Sequence, residues 1–269
     1  MLSEIVDSAP YFLLVAARVA GLIFTLPLFS MRSVSRTAKI ALVGYMSYIL
    51  MGYGDFAPYG SVVAPDGAFS VYFAFLILGE AMIGVIVGFF VSIIFATFST
   101  AAQFFAFQMG FTAASTYDSM SQVENPLLGQ FFNFAAVLLF LQNHWFQALF
   151  LRGLTGTLSS MNVFGLIVER ERVVMFLLKS LTNLFADAFL IALPVMGTLL
   201  LITVCTGLLS KAAPQMNLLS EGFPVMILLA FGILIWIFPQ LCEFFLRSFD
   251  TGISDILNLL TSLGKGGVR

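Results

Sequence analysis

Apolar residues run in six blocks along the chain, at residues 9–29, 40–53, 69–107, 127–151, 173–210 and 222–241. A helix that crosses a bilayer needs about 20 apolar residues at ~1.5 Å each. The second block is too short for that. The third, as one helix, would extend roughly 58 Å, nearly twice the hydrocarbon thickness. The fifth is similarly long and contains Lys179, Asp187 and Pro194. Tilt absorbs a few residues of mismatch, not about twenty. The pattern therefore predicts an all-α integral membrane protein. Its helices should be long and partly broken, arranged in antiparallel hairpins, and packed on other protein for much of their length. After residue 241 the pattern changes. Leu246, Phe249, Ile253, Ile256, Leu260 and Leu263 recur at three- and four-residue steps, leaving Glu243, Arg247, Asp250 and Asp255 mostly on another face. This predicts an amphipathic helix docked on a partner or on the membrane surface, with Glu243 and Arg247 spaced for a pair one turn apart.

The largest polar break, residues 108–126, separates the third and fourth blocks and contains Asp118 and Glu124. Backbone with this much turn chemistry cannot face lipid, because its amides would go unpaired. It either leaves the bilayer as an ordinary loop or lines a water-accessible cavity inside protein, and a gate is the favoured reading. Gly110 offers a hinge, and Phe107 and Phe111 are placed to seal against partner side chains.

Composition agrees with the pattern. Of the 269 residues, 60% are apolar and only 10% charged, against about 25% charged in soluble domains. The formal net charge of −2 gives no basic field for nucleic acid. Cys205 and Cys242 stand apart and His144 is the only histidine, so neither a disulfide framework nor a metal site is expected. No phosphate-binding glycine loop or nucleophile motif is present, and neither catalysis nor a cofactor is expected. The first block is read as retained, without a signal-peptide pattern. Arg32, Arg36 and Lys39 place the loop after it on the cytoplasmic side. Alternation then puts residues 108–126 and Lys211 on that side as well.

Arg18, Glu80, Lys179 and Asp187 lie in or beside apolar blocks. A central charge costs about 2.5–3.5 kcal/mol on insertion scales, so each needs a mate or water. They are read as helix-pairing and assembly contacts in preference to a proton relay, with Arg18 paired to Glu80 or to Asp187. Gly84 with Gly88, and Ala17 with Gly21, are spaced to let helices approach closely. The stretch 211–217 (KAAPQMN) reads as a tight turn between two helices. Pro214 stops the first, Gln215 and Asn217 satisfy turn amides, and Lys211 complements the helix end.

These last residues carry a resemblance. Residues 193–196 (LPVM), 207–217 (GLLSKAAPQMN) and 222–224 (GFP) resemble the C-terminal signature of the FliR family of flagellar type III export gate components. Residues 27–30 (PLFS), Arg32 and Lys39 are similar to its first cytoplasmic turn. Gln108, Met109, Gly110, Phe111, Asp118 and residues 126–130 (PLLGQ) are similar to its central region. The resemblance implies a non-enzymatic subunit that helps form and close a channel for unfolded flagellar proteins. It implies a FliP-like part at residues 1–165 and a FliQ-like hairpin with the amphipathic helix at 166–269. It further implies one copy among several FliP-like and FliQ-like partners, in the bacterial inner membrane at the flagellar basal body. Residues 108–126, with Tyr117 among them, would then contribute a pore plug, and the turn from Lys211 to Asn217 would meet a FlhB-like switch protein. A secondary transporter of a small substrate and a purely structural scaffold are the competing readings. The first predicts two related halves, which the sequence does not display.

Overall fold

The computed structural model describes residues 2–30, 34–54, 56, 59–60, 70–109, 127–212 and 222–266, and every regular element among them is helical. Helix α1 covers Leu2–Thr25, α2 Pro27–Ser30, α3 Arg36–Leu50 and α4 Val71–Gln108. Helix α5 covers Leu127–Gln142, α6 Trp145–Ala148, α7 Thr155–Ser160 and α8 Val163–Val168. A π-helical turn, Leu149–Leu154, joins α6 to α7. Two long helices complete the order, α9 at Arg170–Ala212 and α10 at Phe223–Gly266. By length and composition, four helices among the described residues are fit to cross a membrane, and five if the broken pair Leu128–Gln142 and Trp145–Ser160 counts as one span.

Local chemistry explains the boundaries. Pro27 has no amide hydrogen to continue α1, and its fixed φ suits the first position of α2. Ser35 caps α3 by accepting from the Ala38 amide at 3.2 Å. Asn162 caps α8 by accepting from the Gly165 amide at 2.7 Å. With 15 residues, α3 is as short as the second apolar block predicts.

The long helices are less broken than their prolines suggest. Helix α9 runs 43 residues through Pro194, and α10 runs 44 residues through Pro239. Each is about 65 Å long. The amphipathic C-terminal segment is thus the second half of α10 and not a helix of its own. The break falls instead inside the fourth apolar block, at Asn143 and His144. His144 adopts a left-handed conformation at φ 56°, a region in which histidine is enriched among non-glycine residues.

The chain divides into two compact units. The first comprises Met1–Ile93, Phe140–Ser180 and Phe249–Arg269; the second comprises Ile94–Leu139 and Leu181–Ser248. The first unit has an aliphatic core from α1, where Leu14, Val15, Val19, Leu22, Ile23 and Leu26 are fully buried. The amphipathic stripe of α10 ends in this unit. Phe249 stacks on Trp145 at 4.6 Å and meets Phe140 edge-on at 4.7 Å, while the Trp145 indole donates to Asp250 at 3.2 Å. Phe249 and Ile256 of the stripe are thus buried within their own chain, whereas the side chains of Leu260 and Leu263 lie outside the described ones. The apolar area that Phe249 and Ile256 hide is already matched inside the unit. The second unit is built on phenylalanine. Phe245 lies between Phe95 and Phe98 at 5.7 and 4.7 Å, and Phe132 packs on Phe105 at 5.7 Å. Edge-on ring pairs of this kind add about 0.5–1.5 kcal/mol beyond area burial.

Candidate functional site

Arg18 and Glu80 are the chain's most deeply buried charges among the described residues, at 2% and 1% exposure. Arg18 stands on α1 and Glu80 on α4, both inside the first unit. The Arg18 Nε donates to Glu80 Oε2 at 2.6 Å, and its Nη2 donates to the Met161 carbonyl at 2.8 Å. Tyr59 donates its hydroxyl proton to Glu80 Oε1 and accepts from the Val163 amide at 3.0 Å. Four segments are tied by these bonds: α1, the turn at Tyr59, α4, and the break between α7 and α8. Glu80 is the mate Arg18 takes. Removing one member of such a buried pair costs about 3–5 kcal/mol, because the other charge is left without compensation. Burial first, then the Glu80 charge and the hydrogen bond to it, pushes the Tyr59 phenol well above its ordinary pKa. The phenol therefore stays protonated and keeps donating at physiological pH.

The glycines beside this clasp explain how two helix backbones come close enough to form it. A Cβ on Gly84 would lie 1.9 Å from the Arg18 carbonyl oxygen, and one on Gly21 would lie 2.2 Å from that of Ala81. A Cβ on Gly88 would meet the Thr25 hydroxyl at 1.8 Å. Ser92 locks the same crossing by donating to the Thr25 carbonyl at 2.8 Å. The GxxxG step read in the sequence is the contact surface of α1 and α4.

The other sequence-selected residues are placed as follows. Gln108 is the last residue of α4 and is half-buried; Met109 is fully buried and its amide donates to the Phe105 carbonyl at 2.9 Å. Phe107 is 68% exposed. Gly110, Phe111, Tyr117 and Asp118 lie outside the described residues, as do Pro214, Gln215 and Asn217. Lys211 is exposed at the end of α9. Asp187 is half-buried on α9 in the second unit and makes no ion pair among the described residues. Lys179 is exposed on the same helix. Glu243 and Arg247 form the pair that their spacing predicts. Tyr59, Met161 and Val163 escaped sequence reading. Tyr59 follows an apolar block without periodicity, and the other two act through backbone atoms that nearly every residue supplies.

Helices α9 and α10 differ from this closed region. Leu200, Leu201, Val204, Leu208 and Leu209 are more than half exposed on α9, and Leu228, Ile235 and Trp236 are about three-quarters exposed on α10. Among the described residues, Gly197, Gly207 and Gly232 have nothing within 4 Å of where a Cβ would stand. Apolar exposure of this extent marks surfaces meant for lipid or other protein. Among the described residues no cluster of metal-ligating side chains occurs.

The chain is similar to known proteins over most of its length. Residues 9–252 match the family described as bacterial export proteins, family 1. The chain is 28% identical over 269 residues to flagellar biosynthetic protein FliR of Bacillus subtilis, covering 98% of this chain and 99% of that one. It is 34% identical over 189 residues to FliR of Borreliella burgdorferi, covering 70% of each. A relative outside the flagellar set is the surface presentation of antigens protein SpaR of Shigella sonnei, 30% identical over 217 residues with 81% of this chain covered and 80% of SpaR.

Proposed function

The chain belongs to family 1 of the bacterial export proteins, and we infer from that membership that it is a subunit of the flagellar type III export gate. The observation that carries the reading is end-to-end similarity to a flagellar biosynthetic protein, joined to helices too long and too apolar to be satisfied by one chain. Helices of about 65 Å with exposed leucine, isoleucine and tryptophan call for neighbours of the same length. FliP-like and FliQ-like subunits are the proposed neighbours. In this reading residues 1–165 behave as a FliP-like part and residues 166–269 as a FliQ-like hairpin. The turn that begins at Lys211 would meet a FlhB-like switch protein. The subunit would sit as a multi-pass protein in the inner membrane at the flagellar basal body.

The proposed work is mechanical and electrostatic, without bond chemistry. Residues 108–126 would form part of the plug that closes the pore to small solutes until an unfolded flagellar protein is admitted. The clasp fixes α4 to α1, and α4 ends at Gln108, where the plug segment begins. A stretch rich in Ser and Thr, with a glycine at its entry, rearranges at modest cost. The helix it hangs from must not rearrange with it. The transporter alternative requires free ionisable groups at one depth, whereas Arg18 and Glu80 are committed to each other at 2.6 Å.

The test is deletion of residues 112–121 in cells, with leakage of small solutes measured across the inner membrane. The reading expects leakage with the complex still assembled. An intact complex with unchanged permeability would refute the plug role.

A further inference from the structure

The clasp holds one polar atom that its own residues leave unserved. Arg18 uses Nε on Glu80 and Nη2 on Met161. Its Nη1, which carries two N–H donors, is buried and has no hydrogen-bond partner among the described residues. A buried donor left in this state costs about 1–3 kcal/mol, and more when it is charged. Beside the clasp lies a cavity of about 10 Å³, lined by Arg18, Tyr59, Glu80, Met161 and Asn162 with Leu158 among its apolar walls. A water molecule needs roughly 10–15 Å³ by this measure, together with two to four polar partners. Both conditions are met. Its lining includes the residue that carries the unserved donor, Arg18. It also includes Glu80 and Met161, whose carboxylate and backbone carbonyl each keep a further lone pair beyond the bonds already made.

We propose that this cavity is a binding site for a single ordered water molecule, which accepts from Arg18 Nη1 and donates to the Glu80 carboxylate or the Met161 carbonyl. Charge and size both select water over an ion. Glu80 already neutralises Arg18, so an added anion would leave an uncompensated buried charge, at several kcal/mol even after relaxation. An added side chain from a partner does not fit the volume. The water gives the guanidinium a third anchored nitrogen and so fixes its plane. A planar fork is useful only when it is held in one orientation. The inference stands apart from the export reading, because it needs only the residues of the first unit.

The experiment is a high-resolution density map of the full chain purified with its natural partners, recorded once in chloride buffer and once with bromide in its place. A peak within about 2.7–3.2 Å of Arg18 Nη1 that is identical in the two salts is the expected result. An empty cavity in both maps would overturn the proposal. A peak that strengthens in bromide would overturn it too, since the site would then hold an anion.

Discussion

Two sets of glycines divide this molecule more sharply than its helices do. Gly21, Gly84 and Gly88 are filled by neighbouring atoms of the same chain, at distances no side chain would allow. Gly197, Gly207 and Gly232 meet nothing among the described residues. The first set lets two backbones touch around an ion pair, and the sequence closes that contact by itself. The second set sits among exposed leucines on helices α9 and α10, where a glycine costs about 0.5–1 kcal/mol of helix stability with no contact among the described residues to offset it. One region is closed within the chain, and the other leaves apolar surface to be covered by lipid or other protein.

This contrast breaks most readily at the clasp. Glu80→Ala should destabilise the full chain by about 3–5 kcal/mol, as it strands the Arg18 charge. Thermal unfolding of the purified complex reads it. Reversing both charges, Arg18→Glu with Glu80→Arg, should recover part of the assembly lost in each single reversal. Gly84→Val comes next, because its Cβ would overlap the Arg18 carbonyl. Overpacking of this kind costs about 1–3 kcal/mol, and here it falls at the upper end since backbone must move. Tyr59→Phe should cost about 1–3 kcal/mol by leaving a Glu80 oxygen and the Val163 amide without a partner. Its pH signature has a definite sign. The Tyr59 pKa is raised in the folded state, so its contribution is complete below the ordinary tyrosine value of about 10. It is lost only as pH rises through the higher folded value. A flat stability difference between wild type and Tyr59→Phe across pH 6–9 is therefore expected. A difference that vanishes within that range would contradict the assignment.

The smallest effects belong to the open region. Gly207→Ala should stabilise the isolated chain by up to about 1 kcal/mol through helix propensity alone. If a neighbour packs on that face, the same change lowers yield of the assembled complex. Glu243→Ala removes an exposed pair one helical turn apart and should cost only about 0.3–0.5 kcal/mol.

The sequence made the long helices and the glycine crossing legible because both are written in period and residue size. The buried pair was narrowed to two mates by the cost of placing a charge in an apolar block. The proline at 194 misled in the opposite direction. It removes one backbone bond, yet the helix around it continues, and the Thr198 hydroxyl binds the Pro194 carbonyl at 2.7 Å. The true break at His144 left only a polar Gln142–Asn143–His144 cluster as its signal, inside a block without charges. The C-terminal stripe was read correctly as amphipathic, but amphipathicity cannot say whose surface it covers. Phe249 and Trp145 lie more than a hundred residues apart, and only the fold brings them together.

The central claim is that the open helices are completed by other export subunits. Native mass measurement of the affinity-purified full chain in mild detergent tests it most directly. The account predicts a hetero-oligomer containing one copy of this chain with several copies of two other export proteins. A stable monomer, or a homo-oligomer of this chain alone, would contradict it.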